Sequence, residues 1–161
     1  MANLKSDLRE FIESLNSHRI EYLVVGGHAV AFHGHPRFTG DIDFFLRSTR
    51  DNALRVLDAL RDFGFGDLQI GPKDLTTPGQ VVQLGQPPNR IDLLTSISGV
   101  AFEEAWLSRV PGKLGGLTVN FIGWSALIKN KETADRDKDR ADLAKLMAVA
   151  ARRPSLQRPS D

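Results

Sequence analysis

Two short apolar runs, each broken off by a turn or loop signal, constrain this chain most. Glu21–Gly26 (EYLVVG) is a β-branched apolar run that reads as a buried strand, and Gly26-Gly27 stops it. Residues 28–33 then fit a short helix ending at Gly34. The breaker-rich loop HGHPRFTG (33–40) leads into DIDFFL (41–46), which alternates polar and apolar at its start and reads as a second strand. Short strands interleaved with helices point to an α/β or α+β layer, with helices packed on a mixed sheet. We assign the α+β class, with helices on the sheet's faces and a closing C-terminal helix.

The rest of the chain fits that frame. Leu4, Leu8, Phe11, Ile12 and Leu15 fall at helical spacing within 4–17. A helix is predicted over 49–63, with Ser48 or Thr49 as its cap. Residues 64–80 read as loop with at most one helical turn. Strands are predicted at 81–85 and 90–96, joined by QPPN in a hairpin-like link, and at 117–123. Helices are predicted at 100–109 and, as one or two pieces, over 124–151. With 161 residues, 1–151 are expected to form one domain and 152–161 a basic, flexible tail. Lys plus Arg (21) nearly balance Asp plus Glu (20), which excludes a strongly basic coat for non-specific nucleic-acid binding. The chain has no cysteine, so disulfides, cysteine-zinc sites and a thiol nucleophile are excluded. It has neither an apolar stretch of membrane-spanning length nor a signal-peptide core, and the expected location is the cytoplasm.

The sharpest chemical signal is Asp41-Ile42-Asp43. In a strand, residues i and i+2 face the same way, ~6.6–7 Å apart along the backbone. Two carboxylates on one face repel and raise a pKa, and a divalent cation removes the conflict. Asp92, in the apolar run RIDLL (90–94), is a third carboxylate on a strand. Three such groups from adjacent strands could hold two magnesium ions ~3.5–4 Å apart, one beside an attacking oxygen and one beside leaving phosphates. Taken singly, each part has a plainer reading. A DxD pair fits a solvated strand end, and Asp92 fits an ion pair with Arg90 or another cation.

Gly26-Gly27 between strand and helix permits a tight turn and close approach of backbone to a ligand. The free N–H groups of the following helix favour a phosphate there. Neither the GxxxxGK[ST] loop nor the GxGxxG fingerprint is present.

The run GGHAVAFHGHPRFTGDIDFF (26–45) resembles the signature of minimal nucleotidyltransferases of the DNA polymerase beta superfamily, and more closely the abortive-infection type II toxin group. There a Gly-Gly or Gly-Ser turn and a helix precede Arg-x-Thr-x-Asp-x-Asp, matched here by Arg37, Thr39, Asp41 and Asp43. The third carboxylate of the group matches Asp92. Its basic and acidic tail helix matches NKETADRDKDRADLAKL, with Lys131, Arg136, Lys138, Asp139 and Asp142. The resemblance covers residues from about 20 to 147. It implies transfer of a nucleoside monophosphate from a nucleoside triphosphate such as ATP to an acceptor hydroxyl, on RNA, protein or a small molecule. Asp41, Asp43 and Asp92 would be the catalytic, magnesium-binding residues. Gly26, Gly27, Arg37, Thr39, Lys131 and Lys138 would contact the nucleotide, and an antitoxin would be a partner. The chain departs from many catalytic members in having Gly27 where they have Ser, and it lacks a larger helical domain. Both departures also fit a non-catalytic module that binds nucleotide or a partner.

Some of these residues have second readings. Arg37 also fits a loop cation that pins the closing helix through Asp139 or Asp142. Lys131 and Lys138, seven apart, share a helix face if that helix is continuous and could there neutralise the triphosphate; the plainer reading is a solvated charged face, since 129–142 mixes both signs. His28, His33 and His35 match no zinc spacing, although His28 could line the nucleotide site. Ser48 and Ser96 lack recognisable base partners for a serine nucleophile. Phe121 and Trp124 read as core.

Overall fold

The structure is a computed structural model that describes residues 6–36, 40–86 and 89–152. The first apolar stripe forms α1 (Ser6–Ser17), and the β-branched run forms β1 (Tyr22–Val25). The glycine pair opens α2 (Gly26–Phe32) directly. β2 (Asp41–Leu46), α3 (Arg50–Leu60), α4 (Pro72–Thr76), β3 (Val81–Leu84) and β4 (Arg90–Leu94) follow. The chain closes with α5 (Phe102–Leu107), β5 (Val110–Leu114), β6 (Leu117–Phe121), α6 (Trp124–Ala134) and α7 (Asp137–Arg152). Thr49 caps α3, its hydroxyl accepting from Asn52 N–H at 3.3 Å.

The described strands form a mixed sheet in the order β3-β4-β2-β1-β6-β5. The β1/β2, β3/β4 and β5/β6 pairs are antiparallel, whereas β2/β4 and β1/β6 are parallel. This is the expected α+β architecture. One strand escaped the sequence reading: β5 (VPGKL) contains a proline and a glycine and forms the sheet edge, where proline is tolerated. The predicted strand 90–96 ends at Leu94, and Arg61–Phe65 continues α3 as one wide turn that breaks at Gly64 (φ 100°).

Alternation along β2 divides the sheet's two faces. Phe44 packs under α1 and beside Tyr22, with ring centroids 5.9 Å from Phe11 and 5.3 Å from Tyr22. Phe45 faces the other side and meets Phe102 of α5 at 5.0 Å. Phe11, Ile12, Leu15, Leu23, Phe44, Leu93, Phe121 and Ile122 are fully buried, and Trp124 packs on this core. Burying each such side chain is worth about 1.5–3 kcal/mol, so the strand carrying the carboxylates is anchored through its apolar neighbours. Asn52 ties α3 to the strand ends. Its side chain donates to the carbonyls of Glu21 (3.0 Å) and Arg47 (2.9 Å) and accepts from Glu21 N–H (2.8 Å).

The closing helix is not continuous. α6 ends at Asp135, which takes a left-handed conformation (φ 51°), and α7 starts anew. The helix-face relation between Lys131 and Lys138 therefore fails. Buried Lys131 instead donates to Asp139 (3.2 Å) and Asp142 (3.1 Å) of α7. Burial opposes ionisation of Asp139, but hydrogen bonds from Arg136 and Lys131 outweigh it and hold the carboxyl below its usual range. No described helix is long and apolar enough to cross a membrane.

Candidate active site

The parallel β2/β4 pair sets the register of the three carboxylates. Asp43 lies opposite Asp92, and Asp41 lies opposite Arg90. Ile42 between the two β2 acids is buried in the core, so Asp41 and Asp43 emerge on one face as their spacing predicts. One oxygen from each of Asp41, Asp43 and Asp92 lies within 4.8 Å of the others, a set that could hold a metal ion. Arg90 spans two of the acids. Its Nη2 donates to Asp41 Oδ2 (2.7 Å) and Asp92 Oδ2 (3.1 Å), and its Nε donates to Asp92 Oδ1 (2.9 Å).

Asp43 carries the electrostatic cost of this gathering. Burial, then the charges of Asp41 and Asp92 and a hydrogen bond with Asp92, push its carboxyl up to about 7; Lys138 acts in the opposite direction. Gly26 makes the packing feasible. It has φ +66°, and a Cβ there would overlap Asp43 Oδ2 and come within 3.0 Å of its Cγ. The glycine is thus required twice, by backbone conformation and by the carboxylate against it.

A cavity of about 390 Å³ opens over the acids. Gly26, Gly27, Asp41, Asp43, Lys131 and Lys138 all contribute to its wall, so most of the expected site residues converge there. Lys138 is exposed, whereas Lys131 reaches the wall while held by its two aspartates. Asp92 is not among the lining residues; it lies beside Asp43 on the neighbouring strand, within the acid cluster. Arg37 and Thr39 lie outside the described residues. His28 does not belong to the cavity wall. Buried His33 donates from Nε2 to Ile122 O (2.7 Å) and packs edge-on to Trp124, a structural role.

The cavity is also lined by Ser96, Ile97, Ser98, Asn130 and Arg136, which the sequence reading did not assign to the nucleotide. Asn130 Nδ2 donates to Ser98 O at 3.0 Å, fastening the segment after β4 to α6. A Cβ on Gly99 (φ +75°) would collide with Thr133, so only glycine lets that segment lie so close to the helix. No short motif signals a wall assembled by such tertiary contacts, although Arg136 does fall within the basic and acidic tail pattern.

The acids supply only hard oxygen donors, the ligand type preferred by magnesium and other hard divalent ions. The crowding that raises the Asp43 pKa is the kind of conflict a cation relieves. The donor set therefore fits a divalent ion. A search of curated proteins finds no match to the chain. A family model described as "Nucleotidyl transferase of unknown function (DUF2204)" matches residues 4–158, nearly the whole sequence. On that match the chain belongs to this nucleotidyl transferase family.

Proposed function

We propose that the protein is a magnesium-dependent nucleotidyltransferase that moves a nucleoside monophosphate from a nucleoside triphosphate to an acceptor hydroxyl. The observation that carries this reading is the convergence of Asp41, Asp43 and Asp92 within 4.8 Å beside a cavity lined by Gly26, Gly27 and Lys138. Asp41, Asp43 and Asp92 would hold magnesium, two ions in the full reaction. When bound there, magnesium neutralises phosphate charge and makes the acceptor hydroxyl easier to ionise.

The chain's own groups do the rest. Asp92 accepts the acceptor's proton as the acceptor oxygen bonds to the α-phosphorus and the bond to pyrophosphate breaks. Gly26 and Gly27 bring backbone close to the triphosphate, and Arg37 and Thr39, which lie outside the described residues, are assigned to it from the motif alone. Lys138 offsets charge on the phosphates from the cavity wall. Lys131 contributes its positive charge while pinning α7 through Asp139 and Asp142. Residues 1–151 act as one unit in the cytoplasm. Resemblance to abortive-infection toxins supports a toxin role with an antitoxin partner, and expression without growth arrest would remove that part.

The test is incubation of purified protein with α-labelled nucleoside triphosphate and magnesium, over RNA, protein and small-molecule acceptors. Label is expected to transfer, and Asp41→Asn or Asp43→Asn is expected to abolish transfer without unfolding the chain. Labelling that persists in both variants contradicts the assignment. Nucleotide binding without turnover on any acceptor favours a non-catalytic binding module.

A further inference from the structure

Resting on the metal-site reading above, we propose that Arg90 is a resident counter-cation that competes with the divalent ion for Asp41 and Asp92. The ion is then retained mainly together with the nucleotide's phosphates. Arg90 stands two residues before Asp92 on β4, so both side chains leave the sheet on one face. The parallel register places it directly beside Asp41. Its guanidinium takes both oxygens of Asp92 and Oδ2 of Asp41, at 2.7–3.1 Å.

A cation shared by Asp41 and Asp92 must compete with the guanidinium for Asp92, both of whose oxygens accept from it, and for Oδ2 of Asp41, and the two positive groups repel. Charge-assisted bonds of this kind are among the stronger polar contacts in a protein, so a bare ion must displace an established partner. A magnesium ion carried by a triphosphate brings additional oxygen ligands, which shifts the exchange in its favour. Arg90 can make room because its side chain is 29% exposed and does not belong to the buried core. The hydrogen bonds of Arg90 go to Asp41 and Asp92 and not to Asp43, so one carboxylate remains outside the guanidinium's grip.

The experiment is a manganese titration of the full chain, followed by the electron paramagnetic resonance of free Mn²⁺. It is run with and without a non-hydrolysable nucleoside triphosphate, on wild type, Arg90→Gln, Arg90→Lys and Asp92→Asn. Arg90→Gln is expected to bind Mn²⁺ alone at least about tenfold more tightly than wild type, the equivalent of one charge-assisted hydrogen bond. Arg90→Lys is expected to fall between them, and the gain in affinity that nucleotide gives is expected to shrink in Arg90→Gln. In wild type, the Nε–H resonance of Arg90 is expected to shift as magnesium and nucleotide are added together. Binding by Arg90→Gln no tighter than wild type, or an unmoved Arg90 resonance at saturation, overturns the competition. If wild type binds Mn²⁺ in a manner that Asp92→Asn abolishes, the metal-site reading survives that result. If no variant binds Mn²⁺ even with nucleotide, both fall.

Discussion

Gly26→Ala is the most informative single substitution. It forces an L side chain into φ +66° and drives a methyl group into the carboxylate of Asp43. The backbone alone costs about 1–2 kcal/mol for a non-glycine residue in the left-handed region. If Asp43 holds its position, overpacking adds about 1–3 kcal/mol, for a total of about 2–5 kcal/mol. For a chain of this length each kcal/mol lowers the melting temperature by about 2–4 °C, so the backbone term alone gives about 2–8 °C and the full clash about 4–20 °C. If Asp43 instead rotates away, the steric term vanishes but the acid cluster loses a member. Thermal melts in chelator and Mn²⁺ titrations of Gly26→Ala, Asp43→Ala and the double variant separate the two routes. When Asp43 stays, the double variant is expected to recover about 1–3 kcal/mol relative to additivity. When it leaves, Mn²⁺ binding is lost with a smaller loss of stability. A Gly26→Ala protein that melts within about one degree of wild type and still binds Mn²⁺ would refute the packing argument.

Lys131→Met removes the buried cation that Asp139 and Asp142 share, while Arg136 still holds Asp139. Removing one partner of a buried ion pair costs about 3–5 kcal/mol, so a melting temperature lower by at least about 6 °C is expected by calorimetry; an unchanged melt would show that the pair contributes nothing. Because the Asp43 carboxyl is raised to about 7 from 3.8, the folded protein holds that proton more tightly than the unfolded chain. Its contribution to metal-free stability therefore falls as pH climbs from about 4 to 7, a trend that Asp43→Asn is expected to flatten. By the same proton, Mn²⁺ affinity is expected to rise through pH 7, and a pH-independent affinity in wild type would contradict the shift. His18 is raised above 6.5 chiefly by its hydrogen bond to Ser14 O, opposed by burial and helped by Asp62. The stability it adds is fully present below 6.5 and lost as pH rises through its folded value. The melting difference between wild type and His18→Gln is accordingly expected to be larger near pH 5.5 than near pH 8.5, and an equal difference would rule out the contact with Asp62 as a titrating one.

Local pattern carried far where it was short-ranged. The β-branched run and the alternating DIDFFL lie where they were expected, whereas the glycine pair, read as a turn ahead of a helix at 28–33, opens that helix itself at Gly26. Asp41 and Asp43 share a face because a strand has period two. That Asp92 meets Asp43 depends on strand register, which residue chemistry alone does not reveal; it became legible through the resemblance of the whole motif. β5 stayed hidden because Pro111 and Gly112 read as breakers, and only an edge position reconciles them with a strand. Lys131 reads from sequence as a phosphate ligand or a surface charge. Its burial against Asp139 and Asp142 follows from the bend at Asp135, which no helical periodicity announces. The cavity wall from Ser96 to Ser98 owes its place to Asn130 and Gly99, contacts across many residues of chain.

The most direct test of the central claim is a crystal of the protein soaked with Mn²⁺ and a non-hydrolysable nucleoside triphosphate, measured at the manganese absorption edge. An anomalous peak coordinated by Asp41, Asp43 and Asp92, with triphosphate oxygens completing its shell, is the expected result. A peak that avoids these three carboxylates, or nucleotide bound away from the Gly26 and Lys138 wall, would contradict it.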